Sequence, residues 1–232
     1  MTGDQGGGPR SLHPLDRFWR RFSPVRIAPD PAALRVNLSY VLHEPSSSSV
    51  VTEHVRLIQA QARRAARAVQ NLSTLSDEAL LTRIVVRDES ALDDLQRDGP
   101  THVLSIDLGA STLLGRVLAL VLPAGSTAPE IVWIDRSFVQ SPSRLQLFGQ
   151  PADLAVPQLS ETIVWFAILV FRPGWNSLLL DAVRVTGEAP VSDLAPSIER
   201  ALRDYTDQWW SQRPWWARPA EAVYPELREE AR

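Results

Sequence analysis

The residues best placed to do chemistry lie in one short stretch, Leu-Ser-Ile-Asp-Leu-Gly-Ala-Ser-Thr-Leu-Leu-Gly over positions 104–115. An apolar run reaches Asp107, turns at Gly109, and passes Ser111 and Thr112 before a second apolar run. That order reads as a buried strand, a glycine corner and an apolar helix. The carboxyl end of a strand is where α/β proteins gather reactive groups. Asp107 has two readings there. It is either a ligand or base in a crevice, or a helix cap that accepts hydrogen bonds from amides. As a base it starts weak, because a carboxylate near pKa ~4 must lose solvent before it takes a proton from a hydroxyl. Ser111 does not sit on a nucleophile elbow: the Gly-x-Ser-x-Gly spacing fails at Leu113, and no histidine partner is visible.

Asp135 and Arg136 close the next apolar run. They read either as a polar pair lining the same crevice or as a solvated ion pair of little energetic weight. The four histidines are scattered. His13 lies near the start, His43 in a loop beside Glu44, and His54 on a helix. His102 opens the strand that Asp107 closes, so the two stand at opposite ends. Cysteine is absent, so thiol catalysis, disulfides and cysteine metal sites are excluded. All 24 basic residues are arginine, which removes a lysine base or Schiff base. The glycines at 6–8 follow no strand and make no phosphate loop. No cofactor and no metal are expected.

The elements that must position these groups follow from periodicity and caps. Val51, Val55, Ile58, Ala62, Ala65, Ala66 and Val69 recur at helical spacing over residues 50–69, with Arg56, Arg63, Arg64 and Arg67 on the rest of the surface. A shorter helix is expected over 34–42, with Asn37 inside it. Ser76 followed by two acids starts a helix, and residues 90–97 form another before Gly99-Pro100. Strands are expected at 83–87, 102–107, 130–135, 144–148, 164–171 and 178–185, and helices at 110–122, 157–162 and 193–210, the last capped by Ser192. Strands alternating with helices predict an α/β single-domain sandwich, with a mixed, largely parallel central sheet flanked by helices. Residues 1–15 read as a disordered tail, 16–217 as the domain and 218–232 as an acidic C-terminal tail.

The chain has 232 residues and a net charge of −3, which does not point to a nucleic-acid partner. No apolar run is long enough to span a bilayer and no secretory signal is seen, so a cytoplasmic protein is expected. Trp209, Trp210, Trp215 and Trp216 cluster near Tyr205, Arg213 and Arg218. Tryptophan suits surfaces that are apolar on one side and wet on the other. The cluster reads either as a docking surface for a partner or membrane, or as the cover of the core.

Four segments in order carry a resemblance. They are Arg35-Val-Asn-Leu-Ser-Tyr before the long helix; the strand, short helix, Gly-Pro and glycine corner over 85–114; Trp133-Ile-Asp-Arg136 with Leu147-Phe-Gly-Gln-Pro-Ala152; and the closing helix from Ile198 with Arg213-Pro-Trp-Trp216. Together, over about 33–217, they resemble the bacterial lipid A biosynthesis acyltransferases, the lauroyl and myristoyl transferase family. The resemblance implies acyl transfer from an acyl carrier protein or coenzyme A by a His-x4-Asp/Glu pair, with the histidine as base and the carboxylate as its orienter. Here those positions match Asp107 and Thr112. Neither can play the family's part. The connection at 123–130 is also shorter than the family's.

The resemblance therefore implies a degenerate member, a non-catalytic accessory or scaffold subunit in lipid or acyl-chain biosynthesis. Its implied partners are an active acyltransferase, an acyl carrier protein or the inner face of the cytoplasmic membrane. The alternatives are an enzyme with altered chemistry at Asp107, drawing on a crevice of Asp107, Gly109, Ser111, Asp135 and Arg136, and an interaction module built on the four tryptophans.

Overall fold

The computed structural model describes residues 29–100, 102–134, 144–156, 163–186 and 190–230. Helix α1 (Pro31–Leu42) starts where Asp30 accepts the Ala32 amide and Pro31 takes the first helical position. Ser48 caps α2 (Ser49–Ser73), whose Val51, Val55, Ile58, Ala65, Ala68 and Leu72 are buried along one stripe. Ser76 caps the short α3 (Asp77–Leu81). Strand β1 (Ile84–Val86) leads to α4 (Glu89–Asp98), capped by Asp88 and ended by Gly99. Strand β2 (His102–Ser105) reaches the corner. One 3-10 turn, Ser111–Leu113, intervenes before α5 (Leu114–Val121). Then come β3 (Glu130–Trp133), β4 (Arg144–Leu147), β5 (Gln150–Ala155), β6 (Ile163–Phe171), β7 (Leu178–Thr186), α6 (Pro190–Asp204) and α7 (Glu226–Glu230).

The main sheet has the order β1-β7-β6-β2-β3. Every neighbouring pair is parallel except the β6–β7 hairpin, which pairs all nine residues of each strand from Ile163↔Thr186 to Phe171↔Leu178. The expected α/β class with a mixed, largely parallel sheet is what the fold shows. Central β6 is buried on both faces, which is why it reads as an unbroken apolar run.

Several boundaries differ from expectation. Residues 150–155 form β5 and pair with β4 as a separate hairpin. Its turn places Phe148 at φ 51, a left-handed conformation rare for a phenylalanine. Glu199 accepts the Phe148 amide, Tyr224 donates to its carbonyl, and the Arg203 guanidinium covers its ring at 4.9 Å. Helix α6 starts at Pro190, so Ser192 lies inside it, and it stops at Asp204 rather than running to 210. The Thr206 hydroxyl donates back to the Leu202 carbonyl, and Gln208 leaves the helix to bond both backbone groups of Phe171. Residues 220–230 are not a separate tail. Ala220 and Leu227 are buried and Glu221 bonds Ser46. The helix expected at 157–162 and the tail at 1–15 lie outside the described residues.

Candidate functional site

The corner after β2 is built by backbone ties to β6 and to the C-terminal segment. Gly109 bridges to Leu169 of β6 and Leu108 bridges to Trp209. The Ala110 amide donates to the Leu169 carbonyl at 2.6 Å, and the Gly109 amide to the Gln208 carbonyl at 2.9 Å. Gly109 has φ 59, and a Cβ there would meet the Leu169 oxygen and the Val170 Cα at 2.6 Å. Only glycine lets the chain pass this close to β6. Below the corner, Ser105 is fully buried and donates to the Ala167 carbonyl at 2.7 Å, which ties β2 to β6 through a side chain as well.

Asp107 is half-buried, and its Oδ1 accepts the Ser111 hydroxyl at 2.7 Å. Ser111 is 2% exposed. This is side-chain pairing across one turn, and neither the 3-10 turn nor α5 has a side-chain cap hydrogen bond, so the expected capping of backbone amides by Asp107 is not what the structure shows. Thr112, the other position implied by the family pair, makes no hydrogen bond to Asp107. Its buried hydroxyl has no hydrogen-bond partner. Leu108, Ala110 and Leu113 around them are buried. Asp107, Gly109 and Ser111 are therefore adjacent, and among the described residues the corner they line is packed, with Asp107 half-exposed at its edge. Asp135 and Arg136 lie outside the described residues.

The C-terminal segment closes the corner. The Trp210 indole donates to the Gly109 carbonyl at 2.7 Å, and its amide to the Asp107 carbonyl at 3.4 Å. Trp209 and Trp215 meet edge to face at 4.7 Å, and Trp216 stacks on Tyr40 at 4.3 Å. The four indoles are no more than 3% exposed. The docking-surface reading of Trp209, Trp210, Trp215 and Trp216 is corrected: they are core. Each indole removes on the order of 200 Å² from water, about 5 kcal/mol of transfer free energy as an upper bound.

Sequence reasoning missed what holds this segment in place. Asn37 of α1 is fully buried; its amide donates to the Arg213 carbonyl at 3.0 Å and its oxygen accepts the Trp215 amide at 2.7 Å. Ser39 accepts the Ala220 amide, and Tyr40 donates to the Arg218 carbonyl. Burial pushes the Tyr40 phenol above its ordinary range, reinforced by Tyr224 and Glu221 nearby. Two polar residues on the buried face of α1 were the available signal.

No protein-family model matches this chain, and no curated protein matches it.

A second polar cluster lies elsewhere on the sheet, beside an open cleft of about 810 Å³ lined by Arg87, Asp94, Trp165, Asp181, Arg184 and Arg200. Asp181 is 4% exposed and accepts from Arg87 at 2.9 Å and Arg200 at 3.1 Å. Arg87 also reaches Asp204 and the Tyr205 hydroxyl. The Asp204 carboxylate, ahead of Asp181, holds the Arg87 guanidinium protonated more firmly than usual. On the other side, Asp98 accepts from both the Trp165 indole and Arg184 at 3.1 Å. These groups tie β1, β7, α4 and α6 together.

The described histidines are engaged elsewhere. His43 pairs with Glu226 at 3.6 Å, His54 contacts the Val50 carbonyl, and His102 pairs with Glu130 at 3.7 Å at the far end of β2. Among the described residues no cluster of three metal-ligating side chains occurs, and no helix is long and apolar enough to cross a membrane.

Proposed function

We propose that this chain is a non-catalytic relative of the lipid A acyltransferases, acting as an accessory or scaffold subunit in lipid or acyl-chain assembly. The observation that carries the reading is the filled corner. Asp107, at the position of the family's base, is turned into Ser111, and the residues around it are packed against β6 and the Trp209–Trp210 segment. Acyl transfer needs a base within hydrogen-bond reach of an acceptor hydroxyl and room for that acceptor. The packing weighs against an altered enzyme centred on Asp107. Burial of the four indoles removes the reading built on them as a contact surface. The partners that fit the proposal are an active acyltransferase or an acyl carrier protein.

The test is an acyl-transfer assay with purified protein, offering acyl carrier protein and coenzyme A thioesters with glycolipid acceptors. No turnover above background is expected. Turnover that Asp107→Ala abolishes, while the variant keeps its melting temperature, overturns the proposal.

A further inference from the structure

Among the described residues, a row of uncompensated positive charge lies on α2. Its inward stripe is buried; its outward ridge carries Arg56, Arg63, Arg64 and Arg67, all exposed. At 100° per residue, positions 56, 60, 63 and 67 fall in one row. The arginines span about 16 Å of helix axis. Among the described residues Arg56, Arg63 and Arg67 have no carboxylate in salt-bridge range, although the chain as a whole has a net charge of −3. Acids near the ridge include Glu53, three residues before Arg56, and Asp207, beside Gln61.

Apolar groups border the same ridge. Val50 and Leu57, seven residues apart and so on one side, are 41% and 42% exposed. One heptad on, Arg64 lies over the Trp175 ring at 5.4 Å. Trp175 is half-buried at the tip of the β6–β7 hairpin, held at φ 64 against Phe171, with exposed Arg172 beside it. A tryptophan in a left-handed conformation is costly and places the indole at the edge of the ridge.

We infer that this ridge docks on an anionic phospholipid surface. A row of unpaired guanidinium groups matches a layer of phosphate headgroups, because the planar fork of arginine bonds two phosphate oxygens at once. Exposed aliphatic side chains and an indole at the rim suit the boundary between headgroup and acyl chain. A convex helix ridge presents phosphate contacts but no side chains set to enter a groove and read bases, which favours a headgroup layer over a nucleic acid. The inference stands apart from the acyltransferase reading and survives its failure.

Each cation at an anionic surface is worth about fivefold in partitioning, so removing three costs about a hundredfold. The test is co-sedimentation of the full chain with phosphatidylcholine vesicles containing one-third phosphatidylglycerol, and with pure phosphatidylcholine. Binding to the first only, weakened by high salt, is expected. The triple variant R56Q/R63Q/R67Q should lose it while keeping the wild-type melting curve, and R97Q, which removes an exposed arginine paired with Asp94, should not. Equal binding to both vesicles, undiminished binding by the triple variant, or no binding to the anionic vesicles overturns the inference. Tighter binding to duplex DNA or polyglutamate than to the anionic vesicles also overturns it, in favour of those partners.

Discussion

Replacing Gly109 with alanine should destabilise the protein far more than an ordinary glycine-to-alanine change. Two costs add. The residue has φ 59, which costs an alanine about 1–2 kcal/mol. The new Cβ would also meet the Leu169 oxygen and the Val170 Cα at 2.6 Å and the Val170 Cγ1 at 2.9 Å. Two of these atoms are backbone of the central strand, so no rotamer change relieves the clash. Forcing the strands apart costs a further ~1–3 kcal/mol of overpacking, and it stretches the Ala110-to-Leu169 and Gly109-to-Gln208 hydrogen bonds. The sum is about 2–5 kcal/mol, a large fraction of the stability of a domain this size. Gly99 supplies the internal control. It has φ 54, nearly the same backbone, and nothing within 4 Å of its Cβ position. Gly99→Ala should therefore cost only the conformational part, about 1–2 kcal/mol. Urea unfolding followed by far-ultraviolet circular dichroism measures both. A Gly109→Ala loss within half a kcal/mol of the Gly99→Ala loss would refute the claim that the corner is in close contact with β6.

Two more predictions probe the closure of that corner. Asn37→Ala leaves the Arg213 carbonyl and the Trp215 amide without their partner; it should cost about 2–4 kcal/mol and speed proteolysis after residue 210, read by limited digestion and mass spectrometry. Trp210→Phe removes the bond to the Gly109 carbonyl, whereas Trp209→Phe removes a buried indole N–H that has no partner; the first should cost at least ~1 kcal/mol more than the second in the same unfolding assay.

The α/β class and most elements were legible because their causes are local. The stripe on α2 is a matter of spacing, and Ser76 and Asp88 cap the helices that follow them. Strands β6 and β7 stand out as apolar runs bounded by a turn. What was not legible depends on partners distant in the chain. Nothing after Asp204 announces a helix end, since the chain is turned by Gln208 binding the backbone of Phe171 across the sheet. Strand β5 holds Pro151 and pairs only with β4, around a turn that Glu199, Arg203 and Tyr224 hold in place from elsewhere. The cluster at Asp181 joins residues 94 and 19 positions away. Composition alone cannot tell a tryptophan that covers a core from one that meets a partner. Here the decision was made by Asn37, Ser39 and Tyr40, which pull residues 213–220 onto α1.

At the glycine corner, the backbone groups are largely engaged within the fold. A strand–glycine–helix corner is useful to an enzyme because its amides are left free to bind an oxyanion or a phosphate. In this corner several amides are already spent: Leu108 on Ile106, Gly109 on Gln208, Ala110 on Leu169 and Leu113 on Ala110. The Gly109 carbonyl is taken by Trp210, and the Asp107 carboxylate by Ser111. A ligand seeking the amides of Gly109 or Ala110 would have to displace protein hydrogen bonds that tie the corner to β6 and to the C-terminal segment. The same glycine that would let a backbone approach a substrate here lets it approach another strand. Arg56, Arg63 and Arg67 on the ridge of α2, by contrast, stand outside these hydrogen-bonded networks.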